Sequence, residues 1–290
     1  MLKDRFNYFI ATFKLGLRKR EAHILLVAIL IIIHFIGAVS KSFSGLFVLN
    51  PGAIENFYVQ YLHFPSDLDR FIEVPWTIIT SVFLHSSLGH LFSNLLIIYF
   101  FGQMLENLLG KKQVWQVFIL GGVAGCLFYM AAIHTFPVFE SSRNFGHILG
   151  ASGGAFALMI ALVTLSPNYT INLFGVLPLK VKWIALFFGV TELLKISDRN
   201  AGGHFAHFGG MALGFAFIKL VKEGFNIPKI NWSQPKKKSN FKVTVNKDYK
   251  ETEANRNQDE IDAILNKIAR SGYASLSKSE KDALFKSNKN

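Results

Sequence analysis

Six stretches of this chain carry too many apolar side chains in a row for an ordinary soluble surface: residues 23–40, 88–109, 114–136, 149–165, 181–194 and 205–221. A helix crosses a bilayer with about 20 mostly apolar residues, and a chain with six such runs has few places to put them other than lipid. Composition agrees, since 51% of the residues are hydrophobic and 17% charged, where a soluble domain averages about 25% charged. Disorder, collagen and coiled coil are thereby excluded for most of the length. The net charge of +12 would suggest a nucleic-acid binder in a soluble chain, but not in one this apolar. A single cysteine, Cys126, excludes an internal disulfide and a cysteine metal cluster. The fold class expected is an all-α polytopic membrane protein with six transmembrane helices and polar, basic ends.

The fourth and fifth runs are short: Ser166-Pro167 ends one, and Pro178 interrupts the approach to the other. The first is too long, and too closely flanked by basic residues, for a cleaved signal peptide. Basic residues concentrate before run one (Lys3, Arg5, Lys14, Arg18, Lys19, Arg20), between two and three (Lys111, Lys112), between four and five (Lys180, Lys182) and after six. By the positive-inside rule both termini face the cytoplasm, and the expected location is a cell inner membrane. Residues 1–22 form a basic amphipathic segment with Leu2, Phe6, Phe9, Ile10, Phe13 and Leu17 on one helical face, suited to lie on anionic lipid. Residues 23–222 form the membrane domain, and residues 223–257 a linker. Residues 258–290 form a short helical hairpin, a small cytoplasmic tail that can dock a partner. In it, Ser277 and Glu280 have capping-box spacing. The loop 41–87, rich in Phe and Tyr, is expected to lie partly in the membrane interface.

Polar groups inside apolar runs are costly and are functional candidates by default. Three clusters open runs two, four and six: His85 through Asn94, Gly150 through Phe156, and His204 through Gly214. Even-numbered helices start on the same, external side, so Asn94, Ser152 and His207 converge at one depth. His90 and Asn94 share a face at i, i+4. His207, Gly210 and Gly214 form one stripe containing GxxxG, a pattern that lets helix backbones approach closely. Gly153 and Ala157 offer a matching small surface on the fourth helix.

Close approach is what a hydrogen bond between a serine and a histidine on different helices requires. A serine hydroxyl becomes nucleophilic when a neighbouring base takes its proton, and His207 can do so for Ser152. The N-terminus of the fourth helix supplies the Ser152 N–H in a favourable dipole field for an oxyanion, with Asn94 and His90 as further donors. No acid is evident for a triad. Asp198 lies in a loop, and Glu106 and Glu192 sit elsewhere on their helices. The expectation is therefore a dyad.

Gly150-Ala151-Ser152-Gly153, His90 with Asn94, and Ala206-His207-Phe208-Gly209-Gly210 together resemble the rhomboid intramembrane serine proteases. The resemblance covers about residues 74–221. It implies Ser152 as nucleophile, His207 as general base, and His90 and Asn94 at the oxyanion. Phe156 stands where the family often has a tyrosine packed on the histidine. Pro75-Trp76-Thr77 resembles the Trp-Arg signature before helix two, with Thr77 replacing the arginine, a departure that touches the anchoring of the outer loop and not the dyad. The implied substrates are single-pass transmembrane proteins, cut in or near the membrane segment after sideways entry past helix five. No cofactor or metal is expected, and no nucleic acid.

Three other readings compete. Gly150-Ala151-Ser152-Gly153-Gly154 matches the elbow of soluble hydrolases, but that motif needs a preceding strand and an amphipathic helix. His85, His90, His204 and His207 would have to converge to make a metal-binding or transport protein, with no carboxylate accompanying them. An inactive rhomboid relative would act as a membrane-protein binder, although this chain keeps both the serine and the histidine.

Overall fold

The computed structural model describes residues 2–46, 52–173, 177–196, 200–224, 263–264, 267, 276–277 and 279–280. The chain divides into two compact units, Met1–Lys229 and Ile230–Asn290. The first opens with α1 (Leu2–Lys19) and α2 (Ala22–Leu46). Three short helices follow in the loop before the second apolar run: α3 (Ala53–Tyr61), α4 (Leu68–Glu73) and α5 (Thr77–Thr80). Then come α6 (Leu88–Leu109), α7 (Lys111–Thr135), α8 (Ser152–Leu165), α9 (Val181–Leu194) and α10 (Ala201–Lys222).

Among the described residues, four helices are long and apolar enough to cross a membrane, spanning Ala22–Ser44, Leu88–Leu109, Lys111–Thr135 and Ala201–Lys222. They correspond to runs one, two, three and six. The fourth and fifth runs are helices of 14 residues each, about 21 Å long at the α-helical rise against a hydrocarbon layer of about 30 Å. Boundaries shift modestly: α8 starts at Ser152 and not at residue 149, and α10 begins four residues earlier than expected, at Ala201.

Helix ends follow local chemistry. The Ser87 hydroxyl accepts from His90 N–H at 3.2 Å and caps α6. Gly110, at φ +93°, ends α6 and turns straight into α7, a backbone setting that favours glycine.

Helix α8 is the centre of the packing. Its residues Gly153 to Met159, with Ala161 and Leu162, are all buried, between α6, α7 and α10. The approach is backbone to backbone. A Cβ added at Gly210 would meet the Gly153 carbonyl, and one at Gly214 the Ala157 carbonyl. From α7, a Cβ at Gly125 would lie 2.9 Å from the Ala206 carbonyl oxygen of α10. The small surface expected on the fourth helix is therefore the contact that α10 uses. Lipid gives no hydrophobic drive between helices, so close packing of this kind carries the association.

Polar ties complete the frame. His23 on α2 bonds Glu106 on α6, Nδ1 to Oε2 at 2.7 Å, and its backbone N–H donates to the same oxygen at 3.2 Å. Phe64–Pro65 (β1), before α6, pairs antiparallel with His147–Ile148 (β2), just before Gly150. Ser66 N–H donates to Gly146 O at 2.9 Å. Thr77, which stands where the resemblance expects an arginine, is itself tied in. Thr77 is fully buried and donates to Val74 O at 2.7 Å, while Trp76 Nε1 donates to Tyr61 O at 2.8 Å. A second hairpin, β3 (Thr170–Leu173) with β4 (Leu177–Lys180), joins α8 to α9.

His63, beside β1, stacks near His147 with ring centroids 5.0 Å apart. Burial holds its pKa down at about 4, from 6.5; His147 and Lys41 add to the depression and Glu55 opposes it. In the pH interval from about 6.5 to about 4 the unfolded chain takes a proton that the folded one refuses. Stability is therefore full above that interval and declines through it as pH falls. Thermal unfolding in detergent should show a midpoint lower by roughly 3–6 °C at the acid end, and His63→Gln should flatten that dependence. An equal slope in both proteins refutes the assignment.

The amphipathic leader is helical as α1, and Phe13 packs against the core. All but residues 223–224 of the linker, and most of the hairpin expected at 258–290, lie outside the described residues. Its capping box is present: Ser277 N–H donates to Glu280 Oε2 at 2.7 Å, and Glu280 N–H to Ser277 Oγ at 3.3 Å. Lys267 joins Glu280 at 2.8 Å, which with the Ser277 bonds holds this carboxyl down at about pKa 2.

Candidate active site

Ser152 is the first residue of α8, where a helix has N–H groups with no partner inside the helix. Ahead of it, Gly150 has φ +138° and donates its N–H to Ser81 O at 2.9 Å. That turn aims the serine at α10. Ser152 Oγ lies 2.8 Å from His207 Nε2. Phe156, one turn further along α8, stacks on the His207 ring at 4.7 Å and 29°, so the ring packing expected of it is present. Phe188 of α9 packs edge-on against Phe156 in turn.

The other nitrogen of His207 is engaged too. Its Nδ1 is 2.5 Å from Glu192 Oε2, and His204 Nδ1 lies 2.5 Å from the same oxygen. The sequence reading placed no acid here, and the structure corrects it. Glu192 is close to the C-terminal end of α9, and a short connection returns the chain to the start of α10, where His204 and His207 share a face at i, i+3. The signal was available: an acid inside an apolar run is a functional candidate, and a helix hairpin brings the end of one run beside the start of the next. Of the other two acids set aside, Glu106 is taken by His23, and Asp198 lies outside the described residues.

His90 and Asn94 fare differently. The His90 ring lies over Gly150: a Cβ there would be 2.9 Å from His90 Nε2 and 3.5 Å from Ser152 Oγ. His90 Nδ1 faces Ser86 Oγ at 3.2 Å, and Nε2 lies on the Gly150 side of the ring. Asn94 is buried, but its amide donates to His90 O on its own helix at 3.0 Å. His85, against His90 at 5.0 Å, is held at a pKa of about 3 by burial first and by His90 second. A small cavity with ≈ 20 Å³ of room, bounded by Ser81, Gly122, Cys126, Gly150 and Ser152, opens beside the serine. That is space for about one water molecule.

The four histidines weighed as metal ligands do not form one group. Among the described residues, the side chains close enough to share an ion are Glu192, His204 and His207, with ligand atoms within 4.8 Å of one another. Zinc holds such atoms at about 2.0–2.2 Å from itself in a tetrahedral arrangement, which would part N from O by roughly 3 Å or more. Separations of 2.5 Å are those of direct hydrogen bonds.

Fold and site together define a polytopic helical membrane protein with a serine–histidine pair set among its helices. The Rhomboid domain model matches residues 73–223, half of the chain, and the chain belongs to the rhomboid family. Residues 243–288 match a second family, described as of unknown function (DUF6576). RHOMBOID-like protein 12, mitochondrial, of Arabidopsis thaliana is 28% identical over 158 residues, covering 51% of this chain and 47% of that protein. Rhomboid protein 1, mitochondrial, of Saccharomyces cerevisiae is 29% identical over 144 residues, covering 49% and 40%. Inactive RHOMBOID-like protein 8 of Arabidopsis thaliana is 33% identical over 112 residues, covering 36% and 32%. The chain spans less than half the length of each of these relatives.

Proposed function

We propose that the chain is an intramembrane serine endopeptidase that cleaves single-pass transmembrane proteins in or near their membrane segment. The observation that carries this reading is the 2.8 Å contact from Ser152 Oγ to His207 Nε2. As Oγ bonds to the scissile carbonyl carbon, its proton passes to Nε2 and the carbonyl π pair moves to oxygen. The Ser152 N–H, His90 Nε2–H and the second N–H of the Asn94 amide receive that oxyanion, while the first Asn94 N–H donates to His90 O. His207 then gives the proton to the leaving amine as the C–N bond breaks. A water molecule then gives a proton to the same Nε2 as its oxygen bonds to the acyl carbon, and the C–Oγ bond breaks as Nε2 returns that proton to Oγ. Gly153, Gly210 and Gly214 hold the two backbones at the required separation, Gly150 leaves room for the His90 ring, and Phe156 holds the ring plane of His207. This cycle uses no cofactor.

In this reading α8 and α9 complete six spans, both termini are cytoplasmic, and the protein sits in a cell inner membrane. Substrate enters past α9, whose outer side chains Trp183, Leu186, Phe187 and Leu194 are exposed and apolar. The C-terminal hairpin docks a partner on the cytoplasmic side. An inactive binder is the rival, since one relative is named inactive. Retention of Ser152 and His207 in hydrogen-bond contact favours the enzyme.

The test needs no substrate. Protein purified in detergent and treated with a fluorophosphonate probe should carry the label on Ser152, mapped by mass spectrometry, and Ser152→Ala should carry none. Folded wild-type protein that stays unlabelled would falsify the reading.

A further inference from the structure

Beside the serine–histidine pair lies a carboxylate that takes a hydrogen bond from each of two histidines. Glu192 Oε2 is 2.5 Å from both His207 Nδ1 and His204 Nδ1, and all three residues are buried or half-buried. An ionised carboxylate only accepts, so each nitrogen facing it must carry its proton. That requirement fixes the tautomer of His207. With the proton on Nδ1, the lone pair is on Nε2, the atom 2.8 Å from Ser152 Oγ. The opposite tautomer would put an N–H against the serine hydroxyl and leave no acceptor for its proton. In a site of low dielectric, the same carboxylate lies against the imidazolium formed when His207 takes that proton.

Resting on the hydrolase reading above, we propose that Glu192 is a positioning residue that fixes the tautomer and ring orientation of His207, and that His204, bonded to the same oxygen, holds Glu192 in place. Ser152, His207, Glu192 and His204 are then one hydrogen-bonded chain across α8, α10 and α9. The residues come from three helices, and α9 contributes to the chemistry through Glu192 alone. His204 holds the carboxylate from the side away from the serine, so its loss frees Glu192 to rotate and has the smaller effect. Removal of the corresponding acid from a soluble serine protease lowers turnover by about 10⁴-fold through the wrong tautomer. The same logic sets the expectation here.

The experiment compares fluorophosphonate labelling rates at Ser152 in wild type, Glu192→Gln, Glu192→Asp and His204→Ala, with thermal unfolding recorded for each. It is paired with proton NMR of selectively ¹⁵N-histidine-labelled protein in detergent. Glu192→Gln should label at least about 100-fold more slowly, Glu192→Asp should recover part of the rate, and His204→Ala should lose less than Glu192→Gln. Wild type should show strongly downfield Nδ1–H resonances from His207 and His204, and both should move upfield in Glu192→Gln. Those resonances separate positioning from a merely structural role, which would lower the unfolding midpoint without a tautomer signature.

Unchanged labelling in Glu192→Gln, with wild type labelled, overturns the proposal and leaves the hydrolase reading intact. So does a rate lost only in step with unfolding, with no downfield Nδ1–H in wild type. Stoichiometric zinc in wild type that Glu192→Gln lacks overturns it as well, by making the cluster a metal site. Absence of label from folded wild type removes the hydrolase reading and this proposal with it.

Discussion

His207→Ala is expected to label with fluorophosphonate at least about 10⁴-fold more slowly than wild type while remaining folded. A serine hydroxyl at neutral pH is almost wholly protonated, and His207 Nε2 at 2.8 Å is the base described within reach of Oγ. In a serine protease of another fold, loss of the histidine alone costs about as much as loss of the whole triad, near 10⁶ in turnover. The variant also removes the ring that stacks on Phe156. Yet His204 still engages Glu192, so the α9–α10 tie persists and the fold has reason to survive. Rate and unfolding midpoint measured on one preparation separate the two effects. A folded variant that labels at the wild-type rate rules out His207 as the base.

The second large effect is structural. Gly210→Val should prevent α8 and α10 from closing and abolish both cooperative unfolding and Ser152 labelling. The added side chain would meet the Gly153 carbonyl, a backbone atom that no rotamer change can move. Ordinary overpacking costs about 1–3 kcal/mol, and here relief requires two helices to part, so the upper end or more is expected. Gly189→Ala on α9 is the control, because a Cβ there meets nothing within 4 Å. Equal behaviour of the two variants in a thermal-shift assay would show that the close approach does not hold the bundle together.

Much of this arrangement was legible in the residues because its causes are local. Apolar run length located the helices, and the Gly210–Gly214 stripe implied the close contact with α8. The spacing of Ser152 and Phe156 put both on the face that meets His207. What stayed hidden depends on distant partners. Glu192 could be read only by folding the fifth and sixth runs back on each other. The two-residue pairing of Phe64–Pro65 with His147–Ile148 is too short for any periodicity to announce. Nor does the i, i+4 relation of His90 and Asn94 reveal that one Asn94 amide N–H is spent on the His90 carbonyl of its own helix.

Under the proposed endopeptidase reading, the brevity of α8 shifts a burden onto the substrate. A helix of 14 residues falls about 9 Å short of the hydrocarbon thickness, and the proposed orientation puts that shortfall at its N-terminal end, with Ser152 below the water boundary. A scissile bond must reach that depth in extended form, with its own i→i−4 hydrogen bonds already broken. Backbone polar groups without partners cost several kcal/mol each in such surroundings. A substrate segment rich in glycine or β-branched residues gives up less helix to get there than one rich in leucine and alanine. The preference of such an enzyme would then be set by how readily a helix frays as much as by which side chains flank the cut.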